Sequence, residues 1–128
     1  MSDQVVRVLV VDDQAPFRVA AKAVVRATAG FDVVGEARSG EEAVDMAGEV
    51  SPDFVLMDIN MEGIGGIEAT RRITQQHPNV RVVLLSTYDA EDLPDDAHHC
   101  GAAAYVHKEE FGPDVLEDVW SGEAGRGL

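Results

Sequence analysis

The sequence predicts an α/β domain, a doubly wound five-stranded parallel sheet with helices on both faces. Three observations predict it. Apolar, β-branched runs recur at about residues 5–11, 31–37, 54–57, 80–85 and 103–106, and stretches of helical period lie between them. The connections are short, so strands and helices alternate as βα units, and the runs are continuously apolar, as strands covered on both faces are. Finally, the strands end abruptly in charge. Val8-Leu9-Val10-Val11 runs into Asp12-Asp13, Phe54-Val55-Leu56-Met57 into Asp58, and Tyr105-Val106-His107 into Lys108.

The helices follow in order. Pro16 suits an early helical turn, and Ala20, Ala23, Val24 and Ala27 give the first helix an apolar stripe. Ser39-Gly40-Glu41-Glu42 has the form of a capping box ahead of Ala43, Val44, Ala47 and Val50. Ile67 to Ile73 forms a third helix, closed by His77-Pro78-Asn79. The fourth is short, because Pro94 fits only a first turn. The fifth begins near Pro113 and shows Val115, Leu116, Val119 and Trp120 on one face, before a glycine-rich tail from Ser121 that is expected to fray. No repeat or linker interrupts the pattern, so 1–128 is one domain with an ordered core of about 5–120.

Composition narrows the function. The net charge of −14 repels phosphate backbones, so direct nucleic-acid contact by this chain is not expected. No apolar stretch reaches the length of a membrane span, and Met1-Ser2-Asp3-Gln4 lacks the order of a signal peptide. The single Cys100 cannot form an internal disulfide, which makes a reducing, cytoplasmic setting the expectation. Flanked by His98 and His99, it also lacks zinc-ligand spacing. Only Lys22 and Lys108 are lysines, which adds weight to the lysine at a strand end.

In a doubly wound sheet, ligands bind beyond the carboxyl ends of the strands, where the strand order reverses. With the order 2-1-3-4-5 that point lies between the strands ending in Asp12-Asp13 and in Asp58. With 3-2-1-4-5 it lies elsewhere, and Asp58 falls outside the crevice. Three gathered carboxylates repel one another unless a cation sits among them. Oxygen ligands in small number suit Mg²⁺, which keeps waters and favours a phosphate partner. Lys108 adds a compact positive charge, and Ser86, at the end of Val82-Val83-Leu84-Leu85, adds a hydroxyl. Each residue alone has a blander explanation as a helix cap, turn former or surface lysine. The conjunction at four strand ends points to a cradle for a phosphoryl group on a carboxylate.

These same segments resemble the receiver domain of two-component response regulators from about Val5 to Trp120. The matching pieces are Val10-Val11-Asp12-Asp13, Leu56-Met57-Asp58-Ile59-Asn60-Met61, Leu85-Ser86-Thr87, and Gly101 through Tyr105 to Lys108. Val34-Gly35-Glu36-Ala37, Gly66-Ile67-Glu68-Ala69 and Thr87-Tyr88-Asp89 resemble the LuxR/NarL/FixJ-type subfamily, which usually carries a C-terminal helix-turn-helix. The resemblance implies a flavodoxin-like order 2-1-3-4-5, with Asp58 as phosphoryl acceptor from a histidine kinase or phosphotransfer protein. It implies Mg²⁺ on Asp13, Asp58 and the Asn60 main-chain carbonyl, with Asp12 acting through metal-bound water. Ser86 and Lys108 would hold the phosphoryl oxygens, and Tyr105 would be the switch aromatic, its ring turning inward when Ser86 is drawn to the phosphoryl group. The implied output is a changed surface on the fourth helix, fifth strand and fifth helix, open to a partner or to a second copy as a homodimer. Such a domain is no free-standing enzyme, but assists its own phosphorylation and dephosphorylation.

The chain departs from the family pattern in places. Glu62 stands where the family usually has Pro, and Gly63-Ile64-Gly65-Gly66 brings extra glycines, expected to loosen the turn beside Asp58. The exposed face of the first helix, near Phe17 and Arg18, is the expected specificity surface, since that helix follows the acid pair. The chain stops where the subfamily begins a linker, and a stand-alone regulator is the expectation, with a receiver fragment of a DNA-binding transcription regulator as the alternative. An aspartyl-phosphate phosphatase is disfavoured because Asn60 occupies the position of its general acid. A dinucleotide-binding protein lacks its glycine fingerprint after the first strand. A receiver-like interaction module that is never phosphorylated has no need of the complete acceptor set present here.

Overall fold

The computed structural model describes residues 5–121 and 126–127; residues 1–4 and most of the tail expected to fray lie outside them. The elements are β1 (Val6–Val11), α1 (Ala15–Ala27), β2 (Phe31–Ala37), α2 (Gly40–Val50), β3 (Phe54–Asp58), α3 (Gly65–Gln76), β4 (Arg81–Ser86), β5 (Ala104–His107), α4 (Pro113–Ser121) and β6 (Arg126–Gly127). The sheet order is β2-β1-β3-β4-β5-β6. The first five strands are parallel, in the order 2-1-3-4-5, and two-residue β6 lies antiparallel on β5. The strand order therefore reverses between β1 and β3, and the crevice opens beyond Val11 and Asp58.

Alternation within the strands sorts the core into two layers. Leu9, Val11, Val55, Met57, Val82, Leu84 and Tyr105 pack with α2 and α3 on one face. Val8, Val10, Phe54, Leu56, Val83, Leu85 and Val106 pack with α1 and α4 on the other. With both faces buried, β3 and β4 read as unbroken apolar runs. The capping box forms with a variation. The Ser39 hydroxyl accepts from the Glu42 N–H at 3.1 Å, while the Glu42 carboxylate accepts from the Arg38 N–H at 2.7 Å, one residue before the cap.

The structure departs from the sequence expectation in three elements. On α1, Ala21 and Val25 are the buried residues, with Phe17 and Val24 packed beside them, while Ala20, Ala23 and Ala27 face outward. Alanine buries too little area to decide a helix face against Phe17, Val24 and Val25. Second, the fourth crossover holds no α-helix, only 3₁₀ turns at Ala90–Asp92 and Asp95–His98. Pro94 adopts an extended conformation (φ −59°, ψ 148°) between them. Proline lacks the N–H a helix interior needs and pushes the residue before it out of the helical region. Leu93, Ala97 and Cys100 still bury themselves against the sheet, so the crossover covers the core without helical turns.

The third difference lies in the β3–α3 turn, where the glycines expected to loosen the chain are accompanied by two hydrogen bonds that hold it. Gly63 and Gly65 take positive φ (84° and 78°), conformations that only glycine adopts cheaply. The Ile64 N–H donates to the Glu41 carboxylate at 3.3 Å, and the Gly66 N–H donates to the Ile59 carbonyl at 3.1 Å. A Cβ on Gly66 would overlap the Asp58 carbonyl oxygen, so α3 begins directly on the end of β3. Among the described residues, no helix is long and apolar enough to cross a membrane.

This packing sets opposite expectations for two glycines. Gly66→Ala should destabilise the domain by about 1–3 kcal/mol, because the helix start must back away from β3. Gly48→Ala, on α2 with open space around it, should stabilise it by about 0.5–1 kcal/mol. Urea unfolding of the two variants checks both signs; equal effects would show that α3 does not rest on the strand as described.

Candidate functional site

The site forms where β1, β3, β4 and β5 end. Asp12 follows β1, and its N–H continues the ladder to the Ala37 carbonyl at 3.1 Å. Its carboxylate is fully buried. Oδ1 accepts from the Gln14 N–H at 2.8 Å, and Oδ2 accepts from Lys108 Nζ at 2.7 Å. Asp13, one residue on, is exposed. Asp58 closes β3 and is buried, with Lys108 Nζ 3.3 Å from its Oδ1. Asp12, Asp13 and Asp58 each offer a carboxylate oxygen, all within 4.8 Å of one another.

Lys108 is the counter-charge to this cluster. Its stem leaves β5 and carries the ammonium between Asp12 and Asp58, 4.4 Å from the centroid of the Phe17 ring. Burial works to lower the pKa of this amine, but the hydrogen bond to Asp12 and the charges of both carboxylates outweigh it, so the net shift is upward. Asp58 is pushed up to about 6, first by burial and then by the Asp12 charge, against the opposing pull of Lys108 and the Asn60 N–H. One ammonium therefore does not fully compensate the acids, which leaves the cluster short of positive charge.

Ser86 ends β4, buried, and its hydroxyl accepts from the Tyr88 N–H at 3.0 Å. Tyr105 on β5 is also buried, and its hydroxyl donates to the Tyr88 carbonyl and to that of Ser86. Its ring thus already occupies the inward position that the sequence expects only after phosphorylation. Burial raises the pKa of its hydroxyl. Asn60 is exposed just past β3 and lines, with Asp13, Ile59, Met61 and Glu62, an open depression of about 340 Å³ beside the acid cluster.

Asp12, Asp13, Asp58, Asn60, Ser86 and Lys108 therefore sit at this edge, Tyr105 lies within β5 in the core layer with its hydroxyl reaching the Ser86 carbonyl, and the structure adds other residues. Phe17 and Arg18 themselves turn toward the site: Phe17 packs under Lys108, and Arg18 donates to the Asp12 carbonyl at 2.8 Å, while their neighbour Val19 is exposed. Glu36, at the end of β2, pairs with Arg18. Their one available signal was the first helix following the acid pair. Cys100 is buried and its thiol faces the Ala97 carbonyl, while His98 and His99 are exposed. Among the described residues, the other acidic group close enough for a cation, Asp89, Glu91 and Asp92, is wholly exposed.

Comparison with known proteins agrees with this geometry. The sequence model of the response regulator receiver domain matches residues 8–119. The response regulator GacA of Pseudomonas viridiflava is 43% identical over 103 residues, covering 80% of this chain and 48% of GacA. The chain thus spans about half the length of the curated relatives it matches. A LuxR-family two-component response regulator from Aurantimonas sp. SI85-9A1 superposes with a TM-score of 0.84 at 31% identity, covering 97% of this chain and 89% of that one. The CheX–CheY complex with BeF3 and Mg from Borrelia burgdorferi gives a TM-score of 0.76 at 32% identity, covering 90% and 87%.

The raised pKa of Asp58 has a signed consequence for stability. Its folded value, about 6, lies above the ordinary 3.8, so the native state loses stability as pH rises between them and holds that loss above. In chelator, Asp58→Asn should therefore be more stable than the unsubstituted protein at about pH 7.5, by on the order of 2–3 kcal/mol. The gain should shrink by roughly half at about pH 5. Thermal unfolding at the two pH values checks this; a gain that grows on acidification contradicts the charge account.

Proposed function

Because the chain belongs to the response regulator receiver domain family, we propose that it takes a phosphoryl group onto Asp58 in the presence of Mg²⁺ and relays the event through its β4–β5 surface. The donor is a phosphohistidine on a sensor kinase or phosphotransfer protein. The observation that carries this is the under-compensated cluster: three carboxylates converge at the strand reversal with a single ammonium among them.

The donor set fits a hard divalent cation held by oxygens. Asp13, Asp58 and the Asn60 main-chain carbonyl would hold it directly. Both Asp12 oxygens are already engaged, by Gln14 N–H and Lys108, which favours an indirect role through water for that residue. When bound, Mg²⁺ would supply positive charge that offsets the acids and the phosphoryl oxygens, so that an anionic donor could approach. The Asp58 carboxylate then attacks the phosphorus in line, forming an acyl phosphate as the bond to the histidine nitrogen breaks. Lys108, freed from Asp12, and the Ser86 hydroxyl each donate to a phosphoryl oxygen. The BeF3 and Mg of the Borrelia CheY complex are the two ligand classes this assignment calls for.

The readout is local. Ser86 shares the Tyr88 segment with Tyr105, since the Ser86 hydroxyl accepts from the Tyr88 N–H and the Tyr105 hydroxyl donates to the Tyr88 carbonyl. Drawing Ser86 to the phosphoryl group breaks the first contact and leaves Tyr88 held by the second. The surface that would carry the change combines the 3₁₀ turns of the fourth crossover, β5 and α4, and a partner or a second copy would read it.

Incubation with acetyl phosphate and Mg²⁺ should add a single phosphoryl mass. The addition should be absent in Asp58→Asn and in chelator, and slower in Ser86→Ala; a labelled Asp58→Asn protein sinks the assignment. In a Mg²⁺ titration, Asp13→Ala should weaken binding more than Asp12→Ala, because a direct ligand is lost. The reverse order would put Asp12 on the ion.

A further inference from the structure

We propose that Arg18 is a positioning residue for the acid pair: it clamps the Asp12 main-chain carbonyl and thereby sets the direction in which Asp13 presents its carboxylate to the cation. The inference rests on the metal reading above.

Arg18 lies on the second turn of α1, and its side chain is only 13% exposed. Its guanidinium works in two directions. Nη1 donates to the Asp12 carbonyl oxygen at 2.8 Å, and Nε donates to Glu36 Oε1 at 3.0 Å. The other Glu36 oxygen accepts from Lys22 Nζ at 2.7 Å. Glu36 is thus gripped by two cations and anchors the guanidinium from the side away from the acids. A residue present merely to pair with Glu36 has no need to reach a carbonyl between two acids.

What the clamp controls follows from peptide geometry. The Asp12 carbonyl and the Asp13 N–H belong to one planar unit, so fixing the oxygen fixes the plane from which Asp13 departs. The remaining polar groups of Asp12 are also engaged, its N–H with Ala37, one carboxylate oxygen with Gln14 and the other with Lys108. With the carbonyl held as well, the peptide has no alternative rotation, and Asp13 retains only its own φ and side-chain torsions. Asp13 itself is exposed, beside Ile59, Asn60, Met61 and Glu62. The peptides on either side of it are held, one by Arg18 on the Asp12 carbonyl and one by the Gln14 N–H on Asp12 Oδ1, and the first of these is what Arg18 controls. Lysine cannot reproduce this fully, because the planar fork offers two donors at fixed separation to two acceptors.

The test is a Mg²⁺ titration of the metal-free full chain by calorimetry, with thermal unfolding in chelator alongside. Arg18→Met should weaken Mg²⁺ about tenfold, the usual effect of removing a group that orients a ligand. Arg18→Lys should recover part of that loss, and Glu36→Gln should weaken binding in the same direction by less. Thermal midpoints in chelator should change little. Should Arg18→Met fail to fold, Glu36→Gln alone still decides the matter. Unchanged Mg²⁺ affinity in the folded variants, with only the midpoint lowered, overturns the positioning role and leaves a structural ion pair. No Mg²⁺ binding by the unsubstituted chain overturns the metal reading itself, and the role of Arg18 with it.

Discussion

Three carboxylates share the edge of a sheet with one ammonium, and much of the surrounding structure answers to that imbalance. Burying an uncompensated charge is among the costliest things a fold can do. Here Asp12 is fully buried and Asp58 nearly so, and Lys108 divides its charge between them. The upward shift of Asp58 comes first from its burial and then from the Asp12 charge, which Lys108 only partly offsets. A cluster left in this condition favours the approach of further positive charge, which under the proposed function a divalent cation would supply.

The imbalance is maintained by backbone placement. Asp12 and Asp58 lie at the ends of neighbouring parallel strands, Val10 pairing with Leu56 and Val11 with Met57. Ser86 and Lys108 are brought alongside by β4 and β5 in the same register. The apolar layers above and below the sheet fix these strand ends, so the geometry of the polar edge depends on the core. Gly66 tightens the arrangement by letting α3 start against the Asp58 carbonyl. In the glycine-containing turn ahead of it, Glu41 reaches across from α2 to accept from the Ile64 N–H.

Much of this was legible in the sequence, and for a physical reason. Strands buried on both faces leave unbroken apolar runs, and a charge or hydroxyl that ends such a run is conspicuous, so Asp12, Asp58 and Lys108, and more weakly Ser86, stood out as candidates. The strand order was not legible from the runs alone, because either doubly wound order buries them equally; the family resemblance resolved it. The apolar face of α1 was misread because alanines suit either face, and the inward contacts of Phe17 and Arg18 join segments that no local pattern links. The missing helix in the fourth crossover was only half visible, since Pro94 limits a helix without saying what replaces it. The inward ring of Tyr105 and the Glu36 anchor of Arg18 are tertiary contacts between distant segments, which no local pattern encodes.

The most direct test of the central claim is a crystal structure of the chain grown with Mg²⁺ and beryllofluoride, a stable mimic of the phosphoryl group. The account predicts beryllium bonded to an Asp58 carboxylate oxygen and the cation on Asp13, Asp58 and the Asn60 carbonyl. It also predicts that Lys108 has left Asp12 for a fluoride. A bare Asp58 with Lys108 still on Asp12, or a cation seated instead on Asp89, Glu91 and Asp92, would contradict it.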